Sequence, residues 1–189
     1  MIAAGLPYSD RVVDLLCEQL AGKDENADAL IAGDITANLK WLALDTLAKI
    51  GPPKRVAPLL LDHMHRDPEF FRCHAYTRAL VATRDPRLVP AIVVRLGKNL
   101  NKGSTVGDGG KTYSLRMDDH YLYILLQLTG QPPKAYELNV SASNRNMLLG
   151  FATDEARTAA YEKMRTWWAE HNDQPPYKDL DPLPTTEQP

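Results

Sequence analysis

Apolar side chains recur every three or four residues along most of the chain, which is the spacing that gives a helix one apolar face. The apolar face of the first run, SDRVVDLLCEQLAG, consists of Val12, Val13, Leu16 and Leu20. Ser9 or Asp10 is suited to cap that helix and Gly22 to end it. A second run, ITANLKWLALDTLAKIG, stops before two prolines. No run alternates apolar and polar residues for long enough to predict a strand.

The two middle segments of the chain repeat each other. Leu47 and Leu80 are 33 residues apart, and the same shift superposes Pro53 on Pro86 and Val56 on Val89. Each unit reads as an apolar helix, a Pro-containing turn and a second apolar helix, so the β-branched run AIVVRL is predicted to be helical. A period of this length is typical of stacked helical pairs, because one pair cannot bury both of its apolar faces alone.

A third unit, SLRMDDHYLYILLQLTGQPP, follows after a longer interval. Its Leu125 lies 45 residues after Leu80, so about a dozen residues are inserted between units, and these form the Gly-rich insertion at 98–113. Ser114 or Asp118 could cap this helix. The last helix, TDEARTAAYEKMRTWWAEHN, has Thr153 as its predicted cap. We expect one domain over 1–172 and a Pro-rich, extended or disordered tail over 173–189.

The turns and the C-terminal end carry a family resemblance. TLAKIGPP at 46–53 and ALVATRDP at 79–86 resemble the turns of HEAT repeats of the bacterial PBS-lyase-like type. ILLQLTGQ at 124–131, followed by RTWWAEHN at 165–172, is similar to the closing repeat of many bacterial HEAT-repeat proteins. The resemblance covers roughly 36–172. It implies an all-α, right-handed α-solenoid of HEAT-like helical hairpins that binds other macromolecules and does not by itself imply catalysis.

The superposed apolar positions define a predicted core. Its members are Val12, Leu16, Leu47, Val56, Leu60, Leu80, Val89, Ile92 and Leu125. Trp41 lies at helical spacing with these residues and is also expected in the core. Cys17 and Cys73 sit in the same patterns, which indicates buried free thiols and favours a reducing compartment.

Charge is distributed unevenly along the 189 residues. The net charge of −2 divides into −4 over 1–53, +6 over 54–102 and −4 over 103–189. In stacked helical pairs the second helices line the concave face, and they carry Lys54, Arg55, Arg87, Arg95 and Lys98. Two more lysines, Lys102 and Lys111, belong to the insertion. These seven cations are the predicted partner-binding residues, and they suit a partner with an acidic surface. Ordinary solvated basic faces are the alternative.

The motifs that could carry chemistry fail on spacing. Gly110, Lys111 and Thr112 match the second half of a phosphate-binding loop, but Thr105 stands where its first glycine is needed. His63 and His65 are two residues apart and point to different sides of a helix. The usual cysteine and histidine spacings of zinc sites are absent. We therefore predict no catalytic residues, no metal ligands and no cofactor, although a metal site assembled from distant repeats stays open.

These patterns predict a non-catalytic protein-interaction scaffold or adaptor from a bacterium, whose partner binds the concave face and the insertion. A nucleic-acid-binding HEAT-like module, including one that is a repair-type enzyme, is the alternative, and an inhibitor or immunity-type binding protein is a third. The acidic isoelectric point of about 6.2 speaks against a dedicated nucleic-acid binder. No apolar run is long enough to cross a membrane, and we expect a cytoplasmic protein, with a removed N-terminal leader left open.

Overall fold

The computed structural model describes residues 10–21, 30–67, 70–98, 103–141 and 147–183. Within these ranges the helices are α1 (Asp10–Ala21), α2 (Leu30–Ile50), α3 (Ala57–Arg66), α4 (Cys73–Thr83), α5 (Leu88–Val93), α6 (Met117–Thr129) and α7 (Asp154–His171). The strands are β1 (Gly103–Asp108), β2 (Lys111–Arg116), β3 (Asn139–Val140) and β4 (Leu148–Gly150). Short 3-10 turns at Lys54–Val56, Phe70–Arg72 and Pro133–Tyr136 precede α3, α4 and β3.

The helices pack as the sequence repeat predicts. Helix α2 lies against α4 and α4 against α6, while α3 packs on α4 and α5 on α6. The superposed residues Leu47, Leu80 and Leu125 are all fully buried, because each faces the neighbouring helix pair. The run AIVVRL was predicted to be helical, and its first three residues belong to α5, whereas 94–96 form turns. Thr153 caps α7 by accepting a hydrogen bond from the Ala156 amide at 3.2 Å, as predicted.

The cap of α6 differs from the prediction. Neither Ser114 nor Asp118 caps this helix, whose N-cap position is Arg116. The carboxylate that holds its first turn is that of Asp119, which accepts a hydrogen bond from the Arg116 amide at 2.7 Å.

The core differs from the predicted set at its edge. Leu47, Val56, Leu60, Leu80, Val89, Ile92 and Leu125 are buried, as predicted. Val12 is 36% exposed and Trp41 39% exposed, so both predictions were wrong. Helix α1 lies at the end of the stack, where Val13 and Leu20 take the inward positions. Trp41 lies on an outer side of α2, where the guanidinium of Arg78 sits 5.9 Å from its ring.

From Gly103 onward, the Gly-rich insertion belongs to a β-hairpin, which corrects the predicted flexible loop. Strands β1 and β2 pair antiparallel from Gly103 opposite Arg116 to Asp108 opposite Lys111. Gly109 and Gly110 form the two-residue connection, and both have positive φ angles, of 56° and 76°. This conformation matches the right-handed twist of the flanking strands and favours glycine at both positions. Gly109 and Gly110 are two of the four glycines from which a flexible loop was predicted, and here they form the turn.

A second small sheet makes the fold a mixed α/β fold, so the predicted all-α solenoid is wrong. Strands β3 and β4 pair antiparallel, and Ser114 and Phe151 exchange two backbone hydrogen bonds of 2.9 Å that join β2 to the residue after β4. Strands of two and three residues are too short to leave a period-two signal in the sequence. The chain after α7 forms turns through 173–179.

Candidate protein-binding groove

The cations predicted to bind a partner have different surroundings. Arg55 donates hydrogen bonds to Asp14 at 2.8 Å and Asp10 at 3.0 Å, both on α1. Its charge is therefore already compensated within the chain. Lys54 is exposed, and its carbonyl oxygen accepts a 3.5 Å hydrogen bond from Arg87. Lys54 and Arg87 thus lie side by side, as the 33-residue repeat predicts.

Arg87 is held by a buried carboxylate. Its Nε lies 3.0 Å and 3.1 Å from the two oxygens of Asp85, and its Nη2 lies 2.7 Å from Asp85 Oδ2. Hydrogen bonding to Asp85 raises the pKa of Arg87 above its usual range, and the negative charge of Asp181 adds to this effect. The guanidinium is fixed in position, and its charge is largely balanced.

An apolar groove of about 480 Å³ lies between α3, α5 and the chain that follows α7. The α3 wall consists of Pro58, Leu61 and Asp62, and the α5 wall of Arg87, Pro90, Ala91, Val94 and Arg95. The third wall consists of Trp168, Tyr177, Leu180, Pro182 and Leu183. Val94 is 61% exposed, which makes it the most exposed large apolar side chain in the described ranges.

Arg95 is the groove cation without a carboxylate partner. Its side chain donates a hydrogen bond to the hydroxyl of Tyr121, whose pKa burial raises to about 12. Within the described part of the chain, no ion pair involves Arg95, whereas Asp62 pairs with Arg66 at 2.9 Å. A half-buried guanidinium beside apolar walls can bind a carboxylate more strongly than a fully solvated one, because water competes less.

The other predicted lysines do not line this groove. Lys98 is exposed in the turn after α5, and Lys111 is exposed at the start of β2, beside the hairpin turn. Lys102 lies outside the described residues. The structure therefore brings together Arg87 and Arg95 with Lys54 alongside, while Arg55 faces α1. The sequence did not predict that the C-terminal segment forms an apolar wall. The leucines of LDPL at 180–183 were a weak indication that this segment packs against the domain.

A second region holds charged groups in the interior. Asp119 accepts hydrogen bonds from Arg157 Nε at 2.9 Å and the Tyr161 hydroxyl at 2.7 Å. Arg157 also donates to the Ser114 carbonyl at 2.7 Å. We call Asp119, Arg157 and Tyr161 the Asp119 network. It joins α6, α7 and β2, and its burial suits a structural role.

His120 is a fully buried imidazole next to this network in sequence. The Thr77 hydroxyl donates its hydrogen to the Cys73 carbonyl at 2.7 Å, so His120 Nδ1, 3.0 Å from that hydroxyl, must be the donor in their contact. Nε2 then carries a lone pair, which has no hydrogen-bond partner in the described ranges. Burial, and then the nearby His74, hold the pKa of His120 well below its usual value.

Across the described ranges, no group of three or more histidine, cysteine, aspartate or glutamate side chains is arranged to hold a metal ion. A shallower cavity of about 850 Å³ lies beside α6, β3 and the start of α7, lined by Tyr123, Leu138, Val140 and the oppositely charged Lys134 and Glu137. None of the predicted binding residues lies there.

Comparison with known proteins provides no relative: no family model, no curated protein and no solved structure matches the chain significantly. Among the helices that the structure describes, none combines the length and the apolar character needed to cross a bilayer.

Proposed function

We propose that this chain is a protein-interaction module whose groove between α3, α5 and the C-terminal segment binds an apolar, acidic segment of a partner protein. The observation that carries the proposal is the open apolar groove with Arg95 in its wall and, among the residues that the structure describes, no carboxylate paired to it. Apolar side chains of the partner would bury Val94 and its neighbours, and a carboxylate would pair with Arg95.

The groove fits a protein segment better than a nucleic acid. Its walls are mainly aliphatic, and it contains Asp62 and lies beside Asp181, which would repel phosphates. Trp168 and Tyr177 contact each other edge-on, with ring centroids 5.2 Å apart. Their packing supports a wall of the groove rather than a platform on which bases stack. The net charge of +6 over 54–102 still favours the nucleic-acid alternative, so the experiment includes it.

The resemblance to bacterial HEAT repeats remains a prediction. The packing of α2 on α4 and of α4 on α6 supports it, and binding of another protein agrees with it. Cys17 and Cys73 are free thiols, which supports a reducing compartment such as the cytoplasm.

A display selection with random-sequence peptides on the purified chain tests the function. We expect enrichment of peptides that combine aliphatic residues with aspartate or glutamate. Binding of a selected peptide, followed by fluorescence anisotropy, should weaken about tenfold or more in Arg95→Glu and in Val94→Glu. Lys134→Glu, in the other cavity, is the matched charge reversal and should bind normally.

The same anisotropy assay with a short DNA duplex examines the alternative. Binding through several phosphates falls steeply and linearly with salt on logarithmic axes. Failure to enrich any peptide, or peptide binding that Lys134→Glu abolishes and Arg95→Glu does not, would falsify the groove as the binding site. Tight, strongly salt-dependent DNA binding that is lost in Arg95→Glu would replace this proposal with the nucleic-acid function.

A further inference from the structure

The chain's own C-terminal segment 177–183, with the sequence YKDLDPL, forms one wall of the groove, beside α3 and α5. Leu180, Pro182 and Leu183 form part of its wall, and Leu183 is only 9% exposed. Tyr177 anchors the segment by edge-on contacts with Trp168 and Trp167, at centroid distances of 5.2 Å and 6.2 Å. The segment follows α7 through turns rather than through a helix, so its side chains reach the groove from irregular backbone.

The charges of this segment complement those of the groove. Asp181 lies near enough to Arg87 to act on its ionisation, beside the Asp85 carboxylate that holds the same guanidinium. With Asp62 paired to Arg66 and Arg87 paired to Asp85, the positive charge left in the groove wall is that of Arg95. Asp181 therefore adds negative charge beside Arg87, and its removal would leave the groove more positive.

The segment does not fill the groove. About 480 Å³ of open volume remains between the segment and the helices, and Val94 stays 61% exposed beside it. A bound segment that contributes apolar side chains and an aspartate, yet leaves part of the apolar surface exposed, resembles an incomplete ligand. A longer or better matched segment from another protein could bury that remaining surface.

We infer that segment 177–183 is an internal competitor of the partner and that the partner's binding segment has its chemistry: aliphatic residues around an aspartate, with a proline that keeps the chain extended. This inference rests on the proposed function of the groove. Because the competitor is part of the same chain, its effective concentration is high. The apparent affinity for a partner is therefore reduced by the fraction of molecules in which the segment covers the surface of α3 and α5 that the partner needs.

The test uses the full chain and a fluorescent peptide with the sequence of 177–183. We expect weak binding of this peptide to the unmodified chain. The double variant Leu180→Ser/Leu183→Ser should bind it about tenfold more tightly, because the internal segment loses its apolar contacts with the groove. Asp181→Asn is a milder variant that leaves the apolar contacts intact, and it should tighten binding by a smaller factor without changing the melting temperature. Adding Arg95→Glu to either variant should abolish the gain.

Two control peptides examine specificity. A scrambled peptide of the same composition should bind poorly, and a peptide with asparagine in place of both aspartates should bind more weakly and with less dependence on salt. Equal affinity of the 177–183 peptide for the unmodified chain and for both tail variants would overturn the inference. Absence of binding to every variant would also overturn it, while peptides from the display selection that still bind would leave the proposed function standing. Failure of both kinds of peptide would reject both.

Discussion

Two arginine–aspartate ion pairs in this chain differ in how deeply they are buried and in what they do for the protein. Arg157 and Asp119 are almost completely buried, with side-chain exposures of 2% and 0%, and they link elements that are 38 residues apart in sequence. Arg87 and Asp85 are two residues apart, and the arginine side chain stays 27% exposed at the groove. The first pair is part of the interior, whereas the second orients a charge at a surface.

The difference separates stability from binding in this molecule. A buried ion pair lost on one side leaves an uncompensated charge in a medium of low polarity, which is strongly unfavourable. Arg95 has no buried carboxylate paired to it in the described ranges and keeps access to water, so its removal should change the folded state little and mainly change what can bind there. Substitutions in the Asp119 network should therefore lower stability, and those at Arg95 should lower affinity.

The largest effect is expected for Arg157→Met, which leaves Asp119 buried without its cation. We expect the free energy of unfolding to fall by about 3–5 kcal/mol in urea titrations. Lys49→Met removes a surface pair with Asp45 of 2.6 Å and serves as the control, with an expected change below about 0.5 kcal/mol. Equal stability of the two variants would show that the Asp119 network does not hold α6 and α7 together.

A smaller effect is expected where the second sheet meets the hairpin. Gly150 has a φ of 87°, and an added Cβ would collide with the Ser114 carbonyl oxygen and come within 2.8 Å of the Leu115 Cα. Gly130 has a similar φ of 71°, but open space surrounds its Cβ position. We expect Gly150→Ala to lose about 2 kcal/mol more than Gly130→Ala, because both carry the backbone strain and only one carries the clash. Similar melting temperatures for the two variants would contradict the close approach of β4 to β2.

The smallest effect is expected for a single buried imidazole, His120, as the pH is lowered, and it distinguishes the interior from the groove again. Burial lowers the pKa of His120, His74 and His63. In the unfolded chain these imidazoles take up protons below about pH 6.5, while the folded chain resists protonation. Their contribution to the free energy of unfolding is therefore fully present above that pH and is lost as the pH falls. Each group contributes at most about 1.4 kcal/mol per pH unit.

Urea titrations at pH 7.5 and pH 5.5, both within about a unit of that midpoint, measure this effect. His120→Asn keeps a donor for Thr77 and should reduce the loss of stability at the lower pH, whereas Arg95→Glu should leave the loss unchanged. A pH dependence that His120→Asn does not alter would assign the effect to other groups.

The helices and the cap at Thr153 could be predicted from the sequence because each depends on residues within a few turns of one another. The 33-residue repeat predicted which helices are neighbours, since equivalent apolar positions must meet in a stack. The hairpin turn also has a local sequence signal, Asp108, Gly109 and Gly110. Its glycines were taken to indicate a flexible loop, whereas they form a two-residue turn. A local signal was present there and was misread.

Tertiary structure alone decided the remaining features, because they join residues far apart in sequence. The pairing of β2 with the residue after β4 depends on Ser114 meeting Phe151, and strands of two and three residues carry no periodicity of their own. Trp41 is 39% exposed although its spacing matches that of buried leucines, because burial depends on which segments pack against each side of α2. The burial of Asp119 and the seat of Leu183 in the groove likewise arise only when α7 and the chain after it pack on the earlier helices. Local sequence sets which face of a helix is apolar, and the packing of distant segments sets which part of that face is left for a partner.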